Sequence, residues 1–254
     1  MNSAEPAAPQ GHLHPMTQII REIQAIFTEI GFDVAFGPEL ETEHYVFNAL
    51  NIPPNHPARG MQDTFWVTPP QQRMPTEAPS TSSNKEKLVL RTHTTAVTAR
   101  ALEEGQKKGQ FPIRKIFPGK TFRNEATDAT HEAQFFQLDG VYVDKKVTMA
   151  DLKGTLMYFY KRLFGEDVEI RFRPSYFSFT EPSAEVDMKF KGKWLEMMGC
   201  GLIHENVFKA AGINPDEWQG WAFGGGIDRI LMVKYGIDDI RSLYSGDLRF
   251  VNQF

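Results

Sequence analysis

The chain has 254 residues, 41% hydrophobic and 24% charged, which suits a globular fold and excludes a disordered, collagen-like or coiled-coil chain. Twenty-eight Lys and Arg against 32 Asp and Glu leave a formal charge of −4. No global basic excess therefore marks a nucleic-acid binder, and any such role needs a local patch or a partner. Cys200 is the one cysteine, so an intramolecular disulfide and a multi-cysteine metal site are excluded, and a reducing, cytoplasmic compartment is expected. No apolar run reaches the length of a membrane span, and the first residues lack the basic and apolar regions of a signal peptide.

Residues 1–13 are small, polar and rich in Pro and Ala and read as a disordered leader, so the folded domain is expected over 14–254. Met16, Ile19, Ile20, Ile23, Phe27 and Ile30 recur at helical spacing, with Pro15 suited to the first position and Gly31 to the stop. Residues 32–66 mix strand-like pieces with turns, and a helix is expected across 41–50. Residues 68–87, rich in Pro, Ser, Thr and Gln, read as a flexible internal loop. Phe65–Val67 before it and Leu88–Leu90 after it read as strands that could form a hairpin. A helix is expected over 94–107, and strands over 113–117, 119–124 and 134–143. The clearest helix covers 148–164. Thr148 and Asp151 suit a capping-box variant, Leu152, Leu156, Phe159 and Leu163 share a face, and Gly165 ends it. Strands follow at 168–173, 185–190 and 193–198, then a short helix at 204–211 and a glycine-rich lead into a last helix ended by Gly236. The order implies an α+β fold, a mixed or antiparallel sheet with flanking helices.

Local signals of chemistry are weak one at a time. Gly224-Gly225-Gly226 before a helix could cradle phosphate, or could be a tight strand-to-helix crossing. Neither the usual dinucleotide fingerprint nor a P-loop is present, so any nucleotide is held by another architecture. The ordered combination is far more specific. Gly37-Pro38-Glu39 comes first, then Phe122-Arg123-Asn124-Glu125 with His131 and Phe135 downstream, and last Gly224-x-Gly226-x-x-Arg229. These resemble, in order, the three signature motifs of class II aminoacyl-tRNA synthetases. Arg91-Thr92-His93-Thr94 and the stretches 128–140, 173–188, 193–201 and 247–250 narrow the resemblance to the α subunit of phenylalanyl-tRNA synthetase, over roughly 14–254.

The resemblance implies a six- or seven-stranded antiparallel sheet and a two-step reaction. L-Phenylalanine attacks the α-phosphate of ATP, and the adenylate then acylates the 2′-hydroxyl of the terminal adenosine of tRNA(Phe). The substrate carboxylate is itself the nucleophile, so the protein must supply positioning and charge neutralisation. Arginine suits this, with several donors in a fixed fork and a permanent charge. Arg123 is assigned to the carboxylate and α-phosphate, and Arg229 to the γ-phosphate end. Taken singly, each reads first as half of a surface ion pair. The resemblance further implies that Glu125 faces the adenine amino group, Phe135 stacks on the base, and His131 reaches pyrophosphate, with Gly224 and Gly226 backing the nucleotide.

For the amino acid, Phe177 and Phe179 are expected on one face of a strand by period two, flanking a phenyl ring. Without the resemblance they are equally two core aromatics. Ala222 stands where the family has a small pocket floor. Gln137 and Asp139, two apart, can face one way toward the ammonium, with His93 and Thr95 as further polar contacts. Asp139 is shorter than the family's usual Glu. Glu181 matches a family position for a magnesium shared with a partner subunit, although a lone Glu reads ordinarily as a solvated carboxylate. ATP chemistry itself calls for Mg2+ between phosphates. Cys200, between Gly199 and Gly201, reads as a small buried residue with no base beside it.

The resemblance also implies homodimerisation through the segment around Pro38, a β subunit in an (αβ)2 assembly, and an N-terminal coiled coil that contacts tRNA. The sequence before residue 14 carries no such heptads, which leaves tRNA binding by this chain alone open. Gly225 replaces a larger family residue and is expected to loosen the start of the last helix through backbone entropy. Against the catalytic reading stands a silent, synthetase-derived protein that binds an amino acid or nucleotide without turnover. Intact Arg123, Glu125 and Arg229 argue for turnover.

Overall fold

Helix α1 (Pro15–Glu29) buries Met16, Ile19, Ile23, Ile26 and Phe27 along one stripe. The His14 ring accepts the Met16 N–H at 3.1 Å and so caps the start. Gly31, at φ +82°, turns the chain into the sheet. This computed structural model describes residues 11–60, 64–68, 86–129 and 131–254. Most of the expected leader and internal loop, residues 1–10 and 69–85, lies outside them.

Ten strands follow in two sheets among the described residues. The short β1 (Asp33–Val34) leads to β2 (Leu40–Thr42), α2 (Glu43–Val46) and a 3-10 turn at Asn48–Leu50. The helix expected over 41–50 is therefore broken into three. The reason lies in what each residue must reach: Glu41 is fully buried against Arg100, while Val46, Phe47, Ala49 and Leu50 are all buried. No single helical stripe buries four such closely spaced positions. Strands β3 (Trp66–Val67) and β4 (Leu88–Leu90) pair antiparallel, as the hairpin expectation required, and β2 joins them in a three-stranded sheet.

Helix α3 (Thr95–Lys108) ends at Gly109 in the left-handed region. Strand β5 (Ile113–Phe122) runs as one piece where two were expected, passing through Pro118. That proline is tolerated because β1 pairs only with Lys115 and Ile116, so β5 has no second neighbour at Pro118 among the described residues. Strand β6 (Gln134–Asp144) precedes α4 (Met149–Phe164), whose Thr148–Asp151 capping box is fully formed. Strands β7 (Ile170–Phe177), β8 (Thr180–Phe190) and β9 (Lys193–Ile203) make a meander. Helix α5 (Glu205–Ala210), strand β10 (Gln219–Gly226), helix α6 (Ile227–Tyr235) and the single turn α7 (Leu248–Val251) complete the chain.

The large sheet has order β1-β5-β6-β10-β9-β8-β7. It is mixed, not wholly antiparallel, because β1 runs parallel to β5. Period-two alternation divides its side chains between two cores. Leu138, Cys200, Trp221 and Phe223 pack under α1, α4 and α6, where Phe27 stacks on Phe223 at 5.3 Å between ring centroids. Val141, Val143 and Ala222 face α3, α5 and the small sheet. The candidate site opens on this second face.

Candidate active site

The floor is set by strand register. Asp139 on β6 lies opposite Gly224 on β10, Gln137 opposite Gly226, and Val141 opposite Ala222. Residues 137, 139 and 141 share a face, so the polar pair continues the apolar stripe into a cavity of about 620 Å³. Two glycines keep that floor low. A Cβ at Gly224 would come within 2.8 Å of the Asp139 carboxylate, and one at Gly199 would strike the Phe177 ring at 2.7 Å. Gly225 is not a loose joint, as backbone entropy alone suggested. A Cβ there would lie 2.5 Å from the Met197 carbonyl oxygen, so close strand approach demands glycine.

The start of α3 forms one wall. The Thr94 and Thr95 hydroxyls donate to the two Asp139 oxygens at 2.7 and 2.5 Å, and the Thr94 N–H donates to Gln137 at 3.2 Å. Burial pushes the Asp139 carboxyl up to about 6, with the two threonine hydrogen bonds opposing the rise. His93 beside them is pushed down to about 3, chiefly by burial and secondarily by the Arg123 charge. Its ring is therefore neutral at physiological pH.

The aromatic wall differs from expectation. Phe177 ends β7 and Phe179 sits in the turn before β8, so they are not neighbours on one strand face. The rings nevertheless stack, with centroids 5.8 Å apart and planes 14° from parallel. A turn reversal, not strand alternation, aligns them. Asn51, at φ 57° in the left-handed region that Asn tolerates, donates to the Ser178 carbonyl at 2.7 Å and pins that turn.

Another part of the same cavity lining is cationic. The Arg123 guanidinium lies 5.0 Å from the Phe135 ring centroid, donates to the Thr92 carbonyl at 3.2 Å, and stands 3.9 Å from Glu125. Arg229, in the first turn of α6, donates to the Glu196 carbonyl at 2.8 Å. His131 is exposed at the cavity edge and pairs with Asp128 at 3.1 Å. Gly226 caps α6. The cavity thus gathers every expected site residue except Glu181.

Glu181 stands apart. Its side chain is 79% exposed, lies 3.5 Å from His204, and borders a separate cavity of about 350 Å³ with Glu205 and Trp218. Among the described residues no three His, Cys, Asp or Glu side chains converge as a metal site. Cys200 is buried, and burial pushes its thiol up to about 12, which suits the inert reading.

Three residues escaped the sequence reading. Thr94 holds Asp139 as closely as Thr95 does. Asn51 pins the aromatic turn. Asp228, 2% exposed, accepts the Phe136 N–H at 2.6 Å and the Tyr244 hydroxyl. It thereby ties the residue before Arg229 to the one after Phe135, and burial pushes its carboxyl up to about 6.

Among the described residues no helix is long and apolar enough to cross a membrane. The family described as tRNA synthetases class II core domain (F) matches residues 1–254. Phenylalanine--tRNA ligase alpha subunits from Moorella thermoacetica and Pelodictyon phaeoclathratiforme are each 48% identical to the chain, over 96% of it and 70% of their own length. The one from Bacillus mycoides is 47% identical over 95% of the chain and 68% of its own length. With the strand order and the cavity that the second and third motif segments share, this similarity means that the chain belongs to the phenylalanine--tRNA ligase alpha subunit family of class II tRNA synthetases.

Proposed function

We propose that this chain activates L-phenylalanine with ATP and passes the phenylalanyl group to tRNA(Phe), together with a β subunit. The observation that carries the reading is one cavity lined by two chemically distinct sets: a stacked phenylalanine pair with a buried carboxylate, and two arginines, one of them over an aromatic ring.

In this reading the substrate phenyl ring packs against Phe177 and Phe179 over Ala222, which gives apolar burial and ring contacts. The ammonium meets Asp139, ionised above about pH 6, with Gln137, Thr95 and neutral His93 around it. A neutral His93 is what the site requires, since an imidazolium would repel the ammonium. Each Asp139 oxygen keeps acceptor capacity beyond its threonine bond.

The substrate carboxylate oxygen then attacks the α-phosphorus. The bond between that phosphorus and the bridging oxygen breaks, and pyrophosphate leaves with the electron pair. No protein nucleophile or proton transfer is needed. Arg123 neutralises charge at the α-phosphate and Arg229 at the γ-phosphate, while Phe135 and Glu125 hold the adenine and His131 lies toward the departing pyrophosphate. Magnesium prefers one or two carboxylates plus substrate phosphates to an all-protein cage. The donor set fits that preference, because Glu196, whose carbonyl holds Arg229, and Glu132 line the same cavity. When bound there the ion supplies further neutralisation of phosphate charge. An ion at Glu181 and His204 would need ligands from another chain, since no third donor converges among the described residues.

The test is phenylalanine-dependent ATP–pyrophosphate exchange, on this chain and on the complex with β, with Arg123→Ala as control. Exchange that disappears in the variant supports the reading. A folded complex that binds phenylalanine without exchange would replace it with a silent binding protein.

A further inference from the structure

We propose that Tyr176 is the stacking platform for the terminal base of the acceptor nucleic acid, and so acts in the transfer step and not in adenylate formation. This rests on the function proposed above.

Tyr176 borders the catalytic cavity yet is 81% exposed, the highest exposure of any large hydrophobic side chain among the described residues. Strand alternation would send it to the face opposite Phe177. A register shift intervenes: Ser175 pairs with Ser183 but Phe177 pairs with Thr180, so Tyr176 faces two residues on β8 instead of one. Such irregularities re-aim side chains beside active sites. Phe177 and Tyr176 both line the cavity, Tyr176 as its exposed member at the mouth.

The other cavity aromatics are committed. Phe47 and Phe223 are buried in the two cores. Phe177 and Phe179 stack on each other, and Phe135 carries the Arg123 guanidinium. Tyr176 has no ring, cation or hydrogen-bond partner among the described residues. The transfer step brings a second adenosine to the cavity from solvent, and its hydroxyl must reach the adenylate while the interior is full. An exposed aromatic face at the mouth is the group that can hold that base. Stacking of a base on an aromatic side chain corresponds to roughly a 5- to 150-fold change in binding.

The experiment uses the enzyme assembled with its β subunit, carrying Tyr176→Ala, Tyr176→Leu or Tyr176→Phe. ATP–pyrophosphate exchange, aminoacylation and binding of tRNA with and without its terminal adenosine are measured. The Ala and Leu variants should keep exchange within about twofold and lose roughly 5- to 150-fold in kcat/KM for tRNA. Tyr176→Phe should retain transfer, and removing the terminal adenosine should weaken binding to the unmutated enzyme but not to the Leu variant. Exchange falling in parallel with transfer would place Tyr176 in the adenylation pocket and overturn the inference. Unchanged transfer in the Leu variant would overturn it too, with the catalytic reading intact. An unmutated enzyme without exchange would overturn the catalytic reading and this inference together.

Discussion

Replacing Asp139 with Asn should stabilise the fold at neutral pH while disabling phenylalanine activation. The carboxyl is 3% exposed and its pKa is raised from 3.8 to about 6. A raised pKa means that the native state holds the proton more tightly than the unfolded chain. The stability this confers is complete below pH 3.8 and is lost as pH rises through about 6. Ionised Asp139 therefore costs the fold less than about 1 kcal/mol at pH 4 and about 3 kcal/mol at pH 7. Asn escapes that cost. Its carbonyl still accepts from one threonine, and the other hydroxyl can rotate to accept from the amide. The stability of the Asn variant relative to the unmutated chain should thus rise by about 2 kcal/mol between pH 4 and pH 7. Urea denaturation across that range measures it. In parallel, losing a charge-assisted contact to the substrate ammonium should lower kcat/KM for phenylalanine in exchange by roughly 10- to 150-fold. A stability difference that stays flat with pH, or an Asn variant with unaltered phenylalanine kinetics, would refute the reasoning.

Gly225→Ala should destabilise by about 1–3 kcal/mol, because the new methyl meets a backbone oxygen and the Met198 side chain in a paired strand; thermal denaturation reads the loss directly. Ala222→Gly should deepen the pocket floor and let para-substituted phenylalanines support exchange, with a lower melting temperature from lost packing beside Phe179. The unmutated cavity should discriminate phenylalanine from tyrosine by less than roughly 10⁵ in kcat/KM, since an apolar pocket cannot strongly reject a substrate that only adds a hydroxyl. Exchange assays with both amino acids settle that figure.

What was readable in the sequence is what depends on local period. The stripe of α1, the capping box of α4 and the shared face of Gln137 and Asp139 all follow from spacings of 3.6 or 2. Their structural outcomes match because burial on one face decides each of them. Phe177 and Phe179 obeyed the same count and were still misplaced. The chain turns between them, and a turn aligns two rings as well as a strand does. Pro118 and residues 41–50 fail for a related reason. Whether a proline interrupts a strand depends on whether a neighbour needs its missing N–H, and β1 is too short to need it. Whether Glu41 continues a helix depends on Arg100, 59 residues away, which holds it in the small sheet.

The missed site residues push that argument further. Thr94, Asn51 and Asp228 touch partners 45, 127 and 92 residues away, and each is a polar residue of a type common on any surface. Their importance lies in what they hold, since all three sit one step behind a residue that motif spacing does reveal. Asp139 is legible as a carboxylate on the right face, but its raised pKa exists only because the fold buries it, against the pull of two threonine hydrogen bonds. The sequence therefore identifies the groups that meet substrate, and the fold determines the protonation state in which they meet it. A buried Asp139 that is ionised at physiological pH and a buried His93 that stays neutral form a cation-selective part of the cavity, which two arginines also line and make anion-selective. An amino acid and a nucleotide can be oriented head to tail in one cavity only if those two parts keep opposite preferences.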